Sequence, residues 1–220
     1  SGAALMIAES KAPAAAGEPA GDGDRLHARA WRELRASPFL FSLLVCVMLG
    51  ALSAAVLPTV PSYDPWSWIV WGREVSDPHL SFIVNGGPSW KPLPVMFTTL
   101  YGLFGGAAPT LWVITSRIGG LMAFVGAYRL AAMLVTRIGY GRGAPVAGMI
   151  AAVALVLTQD WAYYWYRGAS EPLLVGTALW AVDRLVAGRR WQAFILGVLL
   201  GLMRPEAWPF LILYGGWLAY

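Results

Sequence analysis

The side chains of this sequence that could do chemistry are carboxylates set close to cations and tryptophans, at the ends of apolar runs. Residues 62–75, SYDPWSWIVWGREV, place Asp64, Arg73 and Glu74 among three tryptophans. Lys91 follows. Asp160 and Glu171 then flank an aromatic stretch containing Trp161, Tyr163, Tyr164, Trp165 and Tyr166, and Arg204-Pro205-Glu206 comes last. A carboxylate can take the proton of an attacking hydroxyl, and an ammonium or guanidinium can stabilise a departing phosphate. Each group also has a plainer reading. Asp64 before Pro65 suits a helix N-cap with proline at the first helical position. Glu171 before Pro172 suits the positive end of a helix dipole. Arg204 and Glu206 can pair with each other, and the aromatic stretch can be an interfacial belt.

These groups are set in a very apolar chain. Of 220 residues, 58% are hydrophobic and 13% charged, with twelve tryptophans, whereas a soluble domain carries about 25% charged residues. Apolar runs lie at 39–57, 92–107, 110–135, 144–159, 172–188, 191–203 and 205–220, several of them near the roughly 17–25 residues that cross a bilayer. The expected fold is all-α, a polytopic membrane helix bundle of about six transmembrane helices. Residues 1–36 read as a disordered Ala-, Gly- and Pro-rich tail followed by a basic cytoplasmic anchor (Arg25, Arg29, Arg32, Arg35), and residues 37–220 as the membrane module. The apolar run up to Tyr220 suggests a module cut short at its C-terminus. Cys46 has no disulfide partner, and His27 and His79 are isolated. The net charge of +4 is read as membrane orientation, not as nucleic-acid binding.

Whether 92–107 crosses the bilayer decides the topology. If it crosses, seven basic residues fall outside and six inside; if it stays outside, nine fall inside and four outside, with Arg117 and Arg129 in the 110–135 run and Lys11 in the tail left out of both counts. The positive-inside bias favours the second arrangement, as do the prolines, the glycines and the length of about 24 Å. Residues 58–109 then form an extracytoplasmic loop. Its helix from Asp64 would lie in the interface, with Trp68, Trp71 and Val75 on one apolar face. Asp64, Glu74, Asp160, Glu171 and Glu206 all gather on the outer side. Arg137, Arg142, Arg184, Arg189 and Arg190 are expected to act as inner orientation charges. The run 191–203 is only about 20 Å long as a helix, so the Arg204 turn would sit below the surface, where charge is costly and usually functional.

With KPLPVMFTTLYGLFG (91–105), SRIGGLMAFVGAYRLAAMLV (116–135), YRGASEPLLVGTALW (166–180) and GLMRPEAWPFL (201–211), the chain resembles the GT-C superfamily of integral-membrane glycosyltransferases. The likeness is to the aminoarabinose, protein O-mannosyl and lipid-linked mannosyl- or arabinosyltransferase types, and it covers about residues 38–212. The resemblance implies a polyprenyl-phosphate-linked sugar as donor and a glycan or lipid hydroxyl as acceptor, among membrane lipids in a bacterial plasma (inner) membrane. It implies Asp64 as catalytic base or metal ligand and Glu171 as second acid, with Asp160 as its rival. Lys91 would match the basic residue before the proline pair, and Arg204 the cation for a lipid phosphate. Glu206, Arg73, Glu74 and Trp68 complete the expected substrate-contacting set. Lys91-Pro92-Leu93-Pro94 is not a Pro-Pro pair, and no Asp-x-Asp lies within residues 38–212, the one such spacing, Asp22-Gly23-Asp24, falling in the N-terminal tail. A divalent metal, magnesium or manganese, is therefore a conditional expectation, with Asp64 and Glu171 as its ligands. The alternative is a non-catalytic membrane subunit or lipid-binding scaffold of the same fold. A transporter fits less well, since the spans carry few charges and no internal repeat is visible.

Overall fold

The computed structural model describes residues 37–75 and 90–220. The expectations for the tail and basic anchor, and for residues 76–89, lie outside the described residues. Among the described residues every regular element is helical: α1 (Pro38–Val56), α2 (Tyr63–Val75), α3 (Pro92–Gly102), α4 (Ala108–Arg137), α5 (Ala144–Val156), α6 (Trp161–Arg167), α7 (Glu171–Val186), α8 (Arg190–Gly201) and α9 (Trp208–Ala219). Short 3₁₀ turns precede α4, α5 and α9. Prolines punctuate the chain: α3, α4, α5, α7 and α9 each carry one in their first turn, where the missing N–H costs no helical bond.

Fewer helices suit a membrane than the expected six or so. The 19-residue α1 and the continuous 33-residue helix Gly105–Arg137 are long and apolar enough to cross. The pair α5–α6, bent by 72°, makes a third if it counts as one span. By contrast α7, α8 and α9 have 16, 12 and 12 residues. At 1.5 Å per residue they reach only about 24, 18 and 18 Å, against a hydrocarbon core of about 30 Å. The run 191–203 was already short in the sequence, and Gly188, the Arg204-Pro205 break and the charges at the C-terminal end of α7 bound the helices on either side of it. α3, at 11 residues, is also below crossing length. Among the described residues the chain is all-helical with two or three helices suited to a bilayer, not a six-span bundle.

α4 is the central post, packed most extensively on α7 and α5. Its contact with α7 is made by glycines. A Cβ on Gly176 would lie 2.3 Å from the Gly119 carbonyl oxygen, and one on Gly119 would lie 2.4 Å from Leu173 Cα. The two backbones therefore touch, the usual way for membrane helices to gain dispersion contact. α1 buries only Cys46, Gly50 and Ser53 along one stripe and leaves Met48, Leu52 and Val56 exposed, a pattern that suits lipid contact.

Two buried cationic groups tie this frame together. Arg117 on α4 is fully buried and donates to the Ser53 hydroxyl (3.1 Å) and to the carbonyls of Ser53 (3.3 Å), Pro58 (2.5 Å) and Tyr166 (3.4 Å). It thus pins the end of α1 and the end of α6 to α4. Near the C-terminal end of α7, Asp183 pairs with Arg129 (3.3 Å) and with Arg184. The two guanidinium groups lie 5.2 and 5.4 Å from the Trp180 ring centre. Arg184 was expected to be a free orientation charge; it is buried instead, because Asp183 and Trp180 give it partners inside the bundle.

Helix α2 also departs from expectation. It begins at Tyr63, so Asp64 lies in its first turn, and the Trp66 N–H bonds to the Ser62 carbonyl (3.2 Å). Ser62, not Asp64, opens the helix. Trp68, Ile69 and Trp71 form a core with Val95 and Trp112, while Val75 is exposed. The helix packs on α3, held by Thr98 donating to the Trp68 carbonyl (2.7 Å), so Trp68 and Trp71 face protein while Trp66 stays exposed.

Candidate functional site

The site is assembled around the tight connection 168–170. Gly168 closes α6 at φ 72°, a left-handed conformation that glycine adopts without strain. Trp112 on α4 donates its indole N–H to the Gly168 carbonyl (2.8 Å), and Ser116 its hydroxyl to the Ala169 carbonyl (2.6 Å). Lys91 donates to the Ser170 hydroxyl (2.6 Å). Three consecutive residues are thus fixed by groups from elsewhere, and Glu171 follows them at the start of α7. Two backbone links bring in the remaining segments. The Ser62 N–H bonds to the Arg167 carbonyl (2.9 Å), fixing the start of α2, and the Leu93 N–H bonds to the Leu202 carbonyl (3.0 Å), fixing the Arg204 turn beside Lys91.

The result is two adjoining cavities. One, of about 310 Å³, is lined by Ser62, Tyr63, Asp64, Trp68, Tyr163, Tyr164, Ala169 and Glu171. The other, of about 350 Å³, is lined by Trp90, Lys91, Pro92, Gly201, Met203, Arg204, Pro205, Glu206 and Trp208. Glu171 joins them: its Oε1 accepts from Arg204 (3.1 Å) and lies 3.9 Å from Lys91 Nζ. Lys91 is 6% exposed and sits 5.0 Å from the Trp68 ring centre, a cation–π contact. Burial lowers its ammonium below the ordinary lysine value; Glu171 opposes that shift, Arg204 reinforces it, and Asp64 and Glu206 oppose it. Four of the seven other charged residues expected from the sequence are therefore felt at one nitrogen.

Asp64, Lys91, Glu171, Arg204 and Glu206 come together as expected, with Trp68 between them. Trp68 is 1% exposed and packs edge-on against Trp112 at 5.5 Å, so it is wall and floor more than a stacking platform. The plainer pairing of Arg204 with Glu206 is not what forms; Arg204 pairs with Glu171. Arg73 and Glu74 do not join the site. They lie at the far end of α2, about 14 Å along the helix from Asp64, because a nine-residue separation on a straight helix cannot fold back. Asp160 is exposed at φ 61°; its carbonyl accepts the Tyr164 N–H (2.9 Å), and it lines neither cavity. The sequence reading overlooked Ser170, whose only signal was its place beside Glu171. It also overlooked Trp112 and Ser116, which lie inside an apolar run and carry no charge.

No three His, Cys, Asp or Glu gather as a metal site among the described residues. Two carboxylates facing a lysine and an arginine make a poor divalent-metal ligand set. Compared with family models, curated proteins and solved structures, the chain matches none.

Proposed function

We propose that the protein is a membrane glycosyltransferase of the GT-C type, moving a sugar from a polyprenyl-phosphate donor to the hydroxyl of a glycan or lipid acceptor. The observation that carries this reading is the meeting of Asp64 and Glu171 in one cavity with Lys91 and Arg204 in the next. Asp64 takes the acceptor proton. The acceptor oxygen bonds to the anomeric carbon, the bond from that carbon to the phosphate oxygen breaks, and the phosphate leaves with the electron pair. Lys91 and Arg204 stabilise the charge that develops on it. Tyr163 and Tyr164 wall the Asp64 cavity, where a sugar ring needs apolar faces and hydroxyl partners.

An apolar cavity of about 300 Å³ between α7, α8 and α9 supports a lipid donor. Leu200 and Ala207 line it, and their chain neighbours Gly201 and Glu206 line the cationic cavity. A phosphate held by Lys91 and Arg204 thus has an apolar groove next to it for its hydrocarbon chain. With α1 and α4 as spans, Arg25, Arg29, Arg32, Arg35, Arg137 and Arg142 fall on one side and Arg73 and Lys91 on the other, a bias that supports an outer position for this end of the bundle and a cytoplasmic N-terminus. On that orientation a cysteine at Gly141, in a Cys46→Ala background, should resist an impermeant maleimide applied to intact cells. Ready labelling would invert the topology.

The reading is tested at the phosphate end. Arg204→Gln should weaken donor binding about tenfold, the loss of one partly exposed charge-assisted contact. Arg204→Lys should restore only part of it, since an ammonium lacks the planar fork. Equal donor affinity in wild type and both variants would remove the phosphate site from the proposal.

A further inference from the structure

Lys91 and Arg204 converge on one oxygen atom. Glu171 Oε1 accepts from Arg204 and stands 3.9 Å from Lys91 Nζ, although Glu171 lines the Asp64 cavity while both cations line the other. A carboxylate from the base side of the site is therefore the anion that both cations share. Lys91 is too buried to stand without an anion at low cost, and Glu171 supplies one. The pairing is not a sealed structural bridge. Glu171 and Arg204 are 32% and 42% exposed, open enough to exchange partners.

We propose that Glu171 is a displaceable counter-anion: a phosphate entering the cationic cavity takes Lys91 and Arg204 from it, and the freed carboxylate turns to the cavity it shares with Asp64. This deepens the reading under Proposed function and rests on its phosphate site. A phosphate is a better partner than one carboxylate for two cations, because it offers several oxygens; the sugar-linked diester carries one charge, and the monoester left after transfer carries up to two. The displaced Glu171 then adds a second carboxylate beside Asp64 only when phosphate is present, so the site is completed in a fixed order. Competition has a measurable cost. When Glu171 occupies the cation pair most of the time, the apparent Kd rises by the inverse of the fraction of time the pair is open.

The experiment titrates purified protein in phosphatidylcholine nanodiscs with farnesyl phosphate and, separately, with inorganic phosphate. Glu171→Gln should bind farnesyl phosphate about tenfold more tightly than wild type, because it removes the competing charge and keeps the shape. In an Arg204→Gln background the same change should gain far less. A gain with farnesyl phosphate only assigns the displacing group to a lipid headgroup; a gain with both probes extends it to free phosphate. Glu171→Gln affinity that is unchanged or weaker, with Arg204→Gln still weakened, overturns the displacement and leaves the phosphate site standing. Arg204→Gln affinity equal to wild type overturns the site itself. A second measurement uses the wild-type chain and no variant. Carbodiimide without added nucleophile should join Glu171 to the Lys91 amine, one water lighter by mass, and saturating farnesyl phosphate should suppress that link. Cross-linking that persists undiminished at saturation defeats the proposal.

Discussion

Asp64→Asn is expected to abolish sugar transfer while the protein still folds and binds its lipid donor. The loss should be about 10²–10⁴-fold in kcat, the range that a positioned general base contributes. The substitution is nearly isosteric and removes one negative charge from the first turn of α2. That turn is exposed at Asp64, and the helix-dipole contribution lost there is under about 1 kcal/mol. The core that fixes the helix, Trp68, Ile69 and Trp71, is untouched. Donor binding should persist because Lys91 and Arg204 line the neighbouring cavity. Transfer and donor affinity measured on the same preparation separate the roles. A well-folded Asp64→Asn protein working at near wild-type rate would leave Asp64 as a helix-start residue and move the base to Glu171.

The second large effect is on stability. Gly176→Ala should lower the thermal midpoint of the detergent-solubilised protein by about 2–12 °C, in line with about 1–3 kcal/mol for overpacking. The new methyl carbon would meet the Gly119 carbonyl oxygen at 2.3 Å, and a backbone atom cannot turn aside as a side chain can. α4 and α7 would have to separate along their length, disturbing the turn at Ser170 and with it Glu171. The control is Gly216→Ala on α9, where a Cβ meets nothing within 4 Å. There alanine should be neutral or mildly stabilising, because it is the better helix former. Equal midpoints for both variants would show that α4 and α7 do not touch at Gly119 and Gly176.

What the sequence determined alone is what local chemistry enforces. Composition pointed to apolar helices suited to a membrane, because so few charges cannot cover a soluble surface. Proline fixed where α3, α4, α5, α7 and α9 begin, because a residue without an N–H fits a first turn and little else in a helix. The carboxylates and cations worth watching were visible for the same reason: charge in an apolar chain is costly, and it stands out. The tertiary structure decided everything that depends on which distant groups meet. Lys91 and Ser170 are 79 residues apart and Arg204 and Glu171 are 33 apart, separations over which no periodicity carries information. The tryptophans of α2 have an interfacial composition, yet Thr98 and Trp112 turn Trp68 and Trp71 into core. Arg184 looked like an orientation charge until Asp183 and Trp180 gave it a buried partner. The number of spans also waited for the fold. An apolar run reports only that water is disfavoured, and a helix packed on α4 satisfies that as well as one facing lipid; its length is set by the breaks at its ends.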